Sequence, residues 1–408
     1  MYQILLHLTD EWEVKGVEVK EPDELYVDIE FVSSKWKDPE TGASCSLYDH
    51  REERLWRHLD TMQYKTYIRC KVPRVQLPSG KVITIEVPWA DVIERHTYLL
   101  EKKVIDTLLC TKNQTKAAHL LRLSFNKIHR IMELAVKSGL ERRDLGDTVK
   151  NISIDEKAFK RGSRTCGITV LSDSDNNCVL NVIEGRTKSR TCGKQLMNET
   201  FIPEQKENIE TVCTDMWEAY INSVREILPN AKSRTCGNKF HLVKYLNQAV
   251  DKVRRQEVKK QHELKQTRYL WLKDKLNLTE KQRIKFDAIK EAYYETSKAW
   301  RVKENFRDIS FHQPRESRMC GTLFIRWYND ALKSQLKPII EVAEMFNRHM
   351  NGIINAMVCG RNNGKAERIN GNIQELKVNA RGYRNVQNFR NAILFFNGKL
   401  NLYTQGSG

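Results

Sequence analysis

Two aspartates stand where the sequence otherwise places apolar residues. Asp155 follows Ile152-Ser153-Ile154, and Asp215 ends the run Thr211-Val212-Cys213-Thr214. Both runs read as buried strands, where an unpaired carboxylate is costly. Taken singly, each has an ordinary explanation: Asp155 as a loop position, Asp215 as the N-cap of a helix starting at Met216-Trp217. Taken together they suit a shared divalent-cation site. Hard cations select carboxylate oxygens, and phosphoryl transfer on DNA can use two of them to activate the attacking oxygen and stabilise the leaving one. Such a site needs a third acid. Glu367, in NNGKAERINGNIQELK, shares a helical face with Asn370, Gly371 and Gln374, polar or small residues unexpected on a core-facing side. A solvated helix surface would give the same pattern.

The elements that must hold these acids follow from periodicity. ELYVDIEFVSS, YKTYIRCKVPRV and KVITIEV alternate apolar and polar residues, so residues 1 to about 90 read as strands. Residues 95 to 140 read as three short helices, with Asn113 and Ser124 as N-caps and Gly139 as a stop. Strands and helices then alternate from about residue 150, and a long basic helical stretch covers 239 to 350. A helix around 366–377 and an apolar tail close the pattern. The expected class is α+β, in several domains.

Composition points to the partner. The 408 residues hold 69 Lys and Arg against 52 Asp and Glu, a formal charge of +17, with a pI near 9.3. A polyanion, most simply nucleic acid, is the expected ligand. No segment approaches the roughly 18 to 20 uncharged apolar residues of a transmembrane helix, and the N-terminus has no signal-peptide pattern. The ten cysteines form no C-x2-C pair. A cytoplasmic chain with reduced thiols and no membrane partner is the expectation. Four cysteines lie in a recurring pentapeptide, SRTCG at 163–167, 189–193 and 233–237 and SRMCG at 317–321, at irregular spacing. No physical reason for the repeat is evident; a metal-binding repeat has weak support from one Cys per copy, and a decayed or altered copy explains it better.

In the helical segment, Ala117, Ala118 and Leu121 form the inner face of one helix and Ile128, Ile131, Met132 and Ala135 that of the next. This is a helix-turn-helix pattern, with Asn126, Lys127, His129 and Arg130 turned outward to read a DNA groove. An ordinary helical hairpin shares it. In the basic stretch, Lys252, Arg254, Arg255, Lys259 and Lys260 are candidates for phosphates. Trp271, Trp300 and Trp327 are candidates for stacking on unpaired bases, or else core residues.

At these residues the sequence resembles bacterial insertion-sequence transposases of the DDE class, ISL-three family. The resemblance rests on SIDEKAFKRG, VIEGRTK, TVCTDMWEAYINSVREILPNAK, KFHLVKYLNQAVDKVRRQE, LTEKQRIKFDAIKEAYYETSKAWRVKENF, NNGKAERINGNIQELK and RGYRNVQNFRNAILFF, with SLYDHREERLWRHLDTMQYKTYI near the N-terminus. It covers nearly the whole chain. It implies a degenerate zinc-ribbon-like β domain (1–92), a helix-turn-helix domain (93–142) and a ribonuclease-H-like catalytic domain (148–405) interrupted by a helical insertion at about 245–350. It also implies Asp155, Asp215 and Glu367 as the catalytic and metal-binding triad, Mg²⁺ as cofactor with Mn²⁺ able to substitute, and His241 and Asn370 as accessory residues. The acid or cysteine that relatives carry three positions before His241 is Asn238 here. The implied reaction is cleavage and strand transfer at terminal inverted repeats, by a homodimer or larger multimer on double-stranded terminal and target DNA. The family's two C-P-x-C-G knuckles correspond to Asp38–Gly42 and Leu77–Lys81, which lack cysteine, so a ribbon without zinc is expected. Cys45, His50, His58 and Cys70 are the remaining zinc candidates. Two rival readings stay open: a catalytically inactive DNA-binding regulator or transposase remnant, and a metal-dependent nuclease without strand transfer.

Overall fold

The computed structural model describes residues 2–146, 148–159, 167–185, 190–214, 218–228, 235–237, 239–273, 277–291, 294–311, 316–359, 364–383 and 385–403. The chain is a mixture of strands and helices in two compact units. The first comprises Met1–Arg143, Leu376–Arg381 and Lys399–Gly408, and the second Asp144–Glu375 and Gly382–Gly398. Among the described residues no helix is long and apolar enough to cross a membrane.

The first unit starts with a short helix, Tyr2–Leu5 (α1), and eight strands: Trp12–Lys20 (β1), Glu24–Phe31 (β2), Lys35–Lys37 (β3), Ser44–His50 (β4), Arg54–Arg57 (β5), Lys65–Cys70 (β6), Pro73–Gln76 (β7) and Val82–Thr84 (β8). They form two four-stranded sheets, β1-β2-β6-β5 and β3-β4-β7-β8. Alternation decides which face is inside. Leu25, Val27, Ile29 and Phe31 of β2 are buried, while the residues between them are partly or fully exposed. Trp12, Trp56 and Trp89 meet edge to face at the centre of this core, with ring centroids 5.1 and 5.6 Å apart.

Hydrogen bonds hold the turn at Asp38–Gly42. The Asp38 carboxylate accepts from the Glu40 amide at 3.1 Å and the Thr41 hydroxyl at 2.5 Å. Gly42 closes the turn through its amide to Asp38 O at 2.8 Å, at a φ of +72° that a side chain would strain.

Three helices follow: Tyr98–Thr111 (α2), Gln114–Leu120 (α3) and Phe125–Glu141 (α4). The Asn113 side chain caps α3 by accepting from Lys116 N, and Ser124 caps α4 by accepting from Lys127 N. Ala117, Ile128, Ile131, Met132 and Ala135 are buried as their spacing requires, whereas Ala118 and Leu121 are only half-buried. Gly139, expected from sequence to stop the helix, does not do so: α4 runs through it to Glu141. It is buried, and a Cβ there would lie 2.9 Å from Leu400 Cβ and 3.1 Å from the Asn401 carbonyl oxygen. Close packing requires this glycine, not helix termination. Arg122, between α3 and α4, ties the helices to the strands. It pairs with Asp23 and, at 3.3 Å, with Asp60, and it donates to Gln63 O at 2.6 Å.

In the second unit a five-stranded sheet is built from Asn151–Ala158 (β9), Gly167–Asp173 (β10), Cys178–Glu184 (β11), Thr211–Thr214 (β12) and Thr235–Gly237 (β13). Its order is β11-β10-β9-β12-β13. β9, β10 and β11 pair antiparallel, while β12 runs parallel to both β9 and β13. Helices Arg190–Thr200 (α5) and Pro203–Asn208 (α6) connect β11 to β12, and Glu218–Ile227 (α7) follows it. Apolar residues of β9, β10, β11 and β12 pack with Leu196, Met197, Val224 and Leu228.

The long basic stretch forms Lys239–Glu257 (α8), a 3-10 turn at His262–Leu264, Arg268–Leu272 (α9), Glu280–Lys290 (α10), Glu295–Phe311 (α11), Ser317–Lys333 (α12) and Lys337–Arg348 (α13). Met350–Cys359 (α14), Gly364–Asn379 (α15) and Val386–Asn397 (α16) complete the chain. Trp271, Trp300 and Trp327 are buried here at 0, 7 and 3% exposure, packed with Phe286, Phe306, Phe324 and Phe346. Of the two readings open for them, this burial selects core residues over stacking on unpaired bases.

The recurring pentapeptide has no single conformation. Its described residues are helical in α5 and α12 and extended in β10 and β13. Residues 163–166, 189, 233 and 234 lie outside the described residues.

Candidate active site

Asp155 is on β9, the middle strand of the five, which sits between antiparallel β10 and parallel β12. Ile152 and Ile154 anchor the strand in the core, and burial gives way to partial exposure from Asp155 onward. The side chain of Asp155 is 17% exposed. Its Oδ1 accepts from the Glu156 amide at 2.8 Å. Its Oδ2 accepts from Asn370 Nδ2 and lies 3.5 Å from Lys157 Nζ. An ionised carboxylate has about four acceptor positions, so these contacts fix its orientation without exhausting it. This fits an oxygen ligand of a hard cation.

Helix α15 explains why Asn370 reaches this strand. Ile369 and Ile373 are buried on one side, while Gly371 and Gln374 are exposed. Asn372 Nδ2 donates to Asn397 Oδ1 at 3.1 Å. Glu367 belongs to the same helix, one turn before Asn370, but its side chain lies outside what is described. Asp215, Met216, Trp217 and Asn238 lie outside the described residues. His241 is in α8, with its side chain likewise outside.

The register of β12 carries the most information about the second acid. Thr211, Val212, Cys213 and Thr214 pair with Asn151, Ile152, Ser153 and Ile154. Each strand's last paired residue, Thr214 or Ile154, thus immediately precedes one of the aspartates. The start of this register is pinned by Thr211 Oγ1 donating to Asn151 Oδ1.

The candidate DNA-reading residues of α4 differ in their freedom. Asn126 is exposed. Lys127 is half-buried, and burial lowers its pKa. His129 hydrogen-bonds Gln114 Oε1 through Nδ1 at 3.2 Å and lies parallel to the Phe125 ring. Arg130 pairs with Glu94 at 2.7 Å. In α8, Lys252 pairs with Glu341 at 3.1 Å, and Arg254 and Arg255 both turn to Asp251. Gln114, Glu94 and Glu341 lie far from their partners in sequence, so spacing gave no sign of them, whereas Asp251 stands at the helical i,i+3 and i,i+4 spacing from Arg254 and Arg255. Lys157 beside Asp155 was likewise missed, although a base two residues along a strand shares its face.

The four zinc candidates differ in their surroundings. Cys45 and Cys70 are each 2% exposed within the apolar core of the first unit. Burial pushes the Cys70 thiol up to about 12. His58 is buried, with Nδ1 hydrogen-bonded to Thr97 Oγ1 at 2.9 Å, and His50 is exposed. Among the described residues no three or more His, Cys, Asp and Glu side chains group to hold a metal.

Comparisons with known proteins bear on both units. The family described as zinc-finger of transposase IS204/IS1001/IS1096/IS1165 matches residues 33–76. The chain is 26% identical over 375 residues to a transposase for insertion sequence element IS1557 of Mycobacterium tuberculosis, covering 85% of this chain and 82% of the relative. It is 24% identical over 360 residues to a transposase for IS1001 of Bordetella parapertussis, covering 85% of each. Among solved structures, a chain of the Drosophila P element transposase strand transfer complex aligns with 79% of this chain and 94% of its own length, at 11% identity and a TM-score of 0.36. The ISL3-type transposase family matches residues 152–393, from the strand bearing Asp155 to α16. On that match, which spans more than half its length, the chain belongs to the ISL3 family of insertion-sequence transposases.

Proposed function

We propose that this transposase cuts and joins DNA with a triad of Asp155, Asp215 and Glu367. The observation that carries the reading is the β9–β12 register. Ile154 and Thr214 are paired, and each aspartate is one Cα step, about 3.8 Å, beyond its partner in that pair. Glu367 comes three residues before Asn370 on α15, a spacing that puts both on one helix face, and Asn370 donates to Asp155. The sheet order and mixed strand directions are those expected of a ribonuclease-H-like core, with 148–405 as its span and α8 to α13 as the bulk of its helical insertion. Residues 93–142 serve as the helix-turn-helix domain and 1–92 as a ribbon without zinc.

The triad oxygens would hold Mg²⁺, or Mn²⁺ in its place. Bound there, the ions would supply Lewis acidity to the attacking and leaving oxygens of the phosphodiester. Asn370 holds Asp155 Oδ2 in a fixed orientation. Lys157 offsets the carboxylate's charge, which would otherwise repel DNA. Exposed Asn126, with Lys127, His129 and Arg130 on α4, would contact terminal-repeat DNA, and Arg130 would exchange Glu94 for a phosphate or base edge. A homodimer or larger multimer would bring two ends together.

Incubating the full chain with a duplex of the element's terminal repeat and Mg²⁺ tests this. Nicked and joined products are expected. Asp155→Asn, Asp215→Asn and Glu367→Gln should each lower both by about a thousandfold or more while leaving DNA binding intact. Cleavage unaffected by all three substitutions would show the triad to be wrong. Binding without nicking would indicate a regulator, and nicking without joining a nuclease.

A further inference from the structure

Asp251 gathers three arginines in the helical insertion. It lies on α8 with its side chain 8% exposed. Its Oδ1 accepts from Arg254 Nε at 3.0 Å and Nη2 at 2.8 Å. Its Oδ2 lies 2.9 Å from Arg255 Nη2 and 3.4 Å from Arg268 Nε. Arg254 is 11% exposed, whereas Arg255 is 66% and Arg268 48% exposed. The inner arginine alone balances the buried carboxylate. Two further guanidiniums converge on its second oxygen, so like charges are held close together at the surface. Among the described residues no other acid is within ion-pair distance of Arg255 or Arg268.

The mounting of Arg268 is rigid. It opens α9, whose Leu270 and Trp271 are buried. Trp271 Nε1 donates to Thr267 Oγ1 at 3.0 Å, and Lys303 Nζ donates to Trp271 O at 2.7 Å. The Arg268 guanidinium also lies over the ring of exposed Tyr269, 5.7 Å from its centroid. A fixed pair of guanidiniums with surplus positive charge is the arrangement that recognises phosphate oxygens.

We propose that Asp251 positions Arg255 and Arg268 as a clamp for the phosphodiester backbone of DNA. The clamp rests on the reading of the insertion as a DNA-binding element and gives that element specific residues. Asp251 acts through the arginines and touches no DNA itself. Its loss therefore has an unusual sign: removing a negative charge from a DNA-binding surface ordinarily strengthens binding, but here it would release the clamp.

The test is fluorescence anisotropy of the full chain with a labelled DNA duplex of arbitrary sequence across a range of NaCl concentrations. Arg255→Gln and Arg268→Gln should each weaken binding and reduce the slope of log K against log[salt] by about one. Asp251→Asn should weaken binding by about threefold or more with an unchanged far-ultraviolet circular dichroism spectrum. Unchanged slopes in both arginine variants would overturn the clamp while leaving DNA binding by the insertion intact, and they decide the matter even if Asp251→Asn fails to fold. Equal or tighter binding by folded Asp251→Asn would remove the positioning role and the proposal with it. If the wild-type chain binds no duplex, the reading of the insertion fails and the clamp fails with it.

Discussion

His58 shows how one buried side chain makes stability depend on pH. Burial, with a smaller push from the neighbouring Arg57 guanidinium, brings its pKa down from 6.5 to about 4. Between those values the unfolded chain takes up a proton that the folded chain does not. The contribution of neutral His58 is therefore complete above pH 6.5, declines as pH falls towards 4, and levels off below. The whole span corresponds to on the order of 3 kcal/mol. Urea midpoints read from amide exchange in β5 and β6 should fall across this interval, and His58→Gln should flatten the dependence. A midpoint equally pH-dependent in the variant would assign the effect to other groups. The sequence could not disclose this, since His58 owes its burial and its Thr97 contact to residues far along the chain. Asp155 stands out for the opposite reason: an acid directly after an apolar run, inside a strand, is conspicuous in its own local sequence. Asp251 was not legible, because an acid among bases on a helix ordinarily reads as a solvated pair.

At the level of elements, local chemistry was the better guide. Asn113 and Ser124 cap the helices they were expected to cap, and two-residue alternation located β2, β6, β7 and β8 of the first unit. Gly139 misled because a glycine near the end of a helix suits two roles, and only the proximity of Leu400 distinguishes them. The ribbon poses a similar question, since residues 33–76 match a zinc-finger family while the turn at Asp38–Gly42 is closed by a carboxylate, a hydroxyl and a glycine instead of thiolates. The tryptophan cluster of Trp12, Trp56 and Trp89 gives the first unit an apolar core of its own, and the proposed ribbon without zinc rests on it. Prolonged chelation should leave amide protection in β3, β4 and β7 unchanged, and elemental analysis of the purified chain should find well under one zinc per chain. Loss of protection on chelation, restored by zinc, would contradict a metal-free ribbon. Removing Mg²⁺ at the same time should abolish cleavage without unfolding these strands, which separates a catalytic metal from a structural one.

For the whole molecule, the +17 charge is unevenly shared. Residues 1–92 contain more Asp and Glu than Lys and Arg, and several of their arginines are held in ion pairs, as Arg69 is with Asp28 and Arg74 with Asp49. Lys and Arg outnumber acids 10 to 5 in residues 93–142, 25 to 14 in residues 239–350 and 8 to 2 in residues 351–408. The sequence total indicated a polyanionic partner, but not which bases remain available to it, because ion pairing is settled by the fold. Lys259, Lys260 and Lys265 are exposed on the insertion, and Lys35 and Lys37 are exposed on the ribbon. If the insertion supplies most of the phosphate contacts, Lys259→Gln, Lys260→Gln and Lys265→Gln should together reduce the salt slope of duplex binding by about two to three. Lys35→Gln with Lys37→Gln should leave it nearly unchanged. Comparable losses from both sets would mean that the ribbon also tracks the DNA backbone, despite its acidic balance. A loss confined to the insertion would show that DNA is held by the segment separating the second acid from the third, where a bound duplex contributes directly to the approach of phosphodiester to carboxylates.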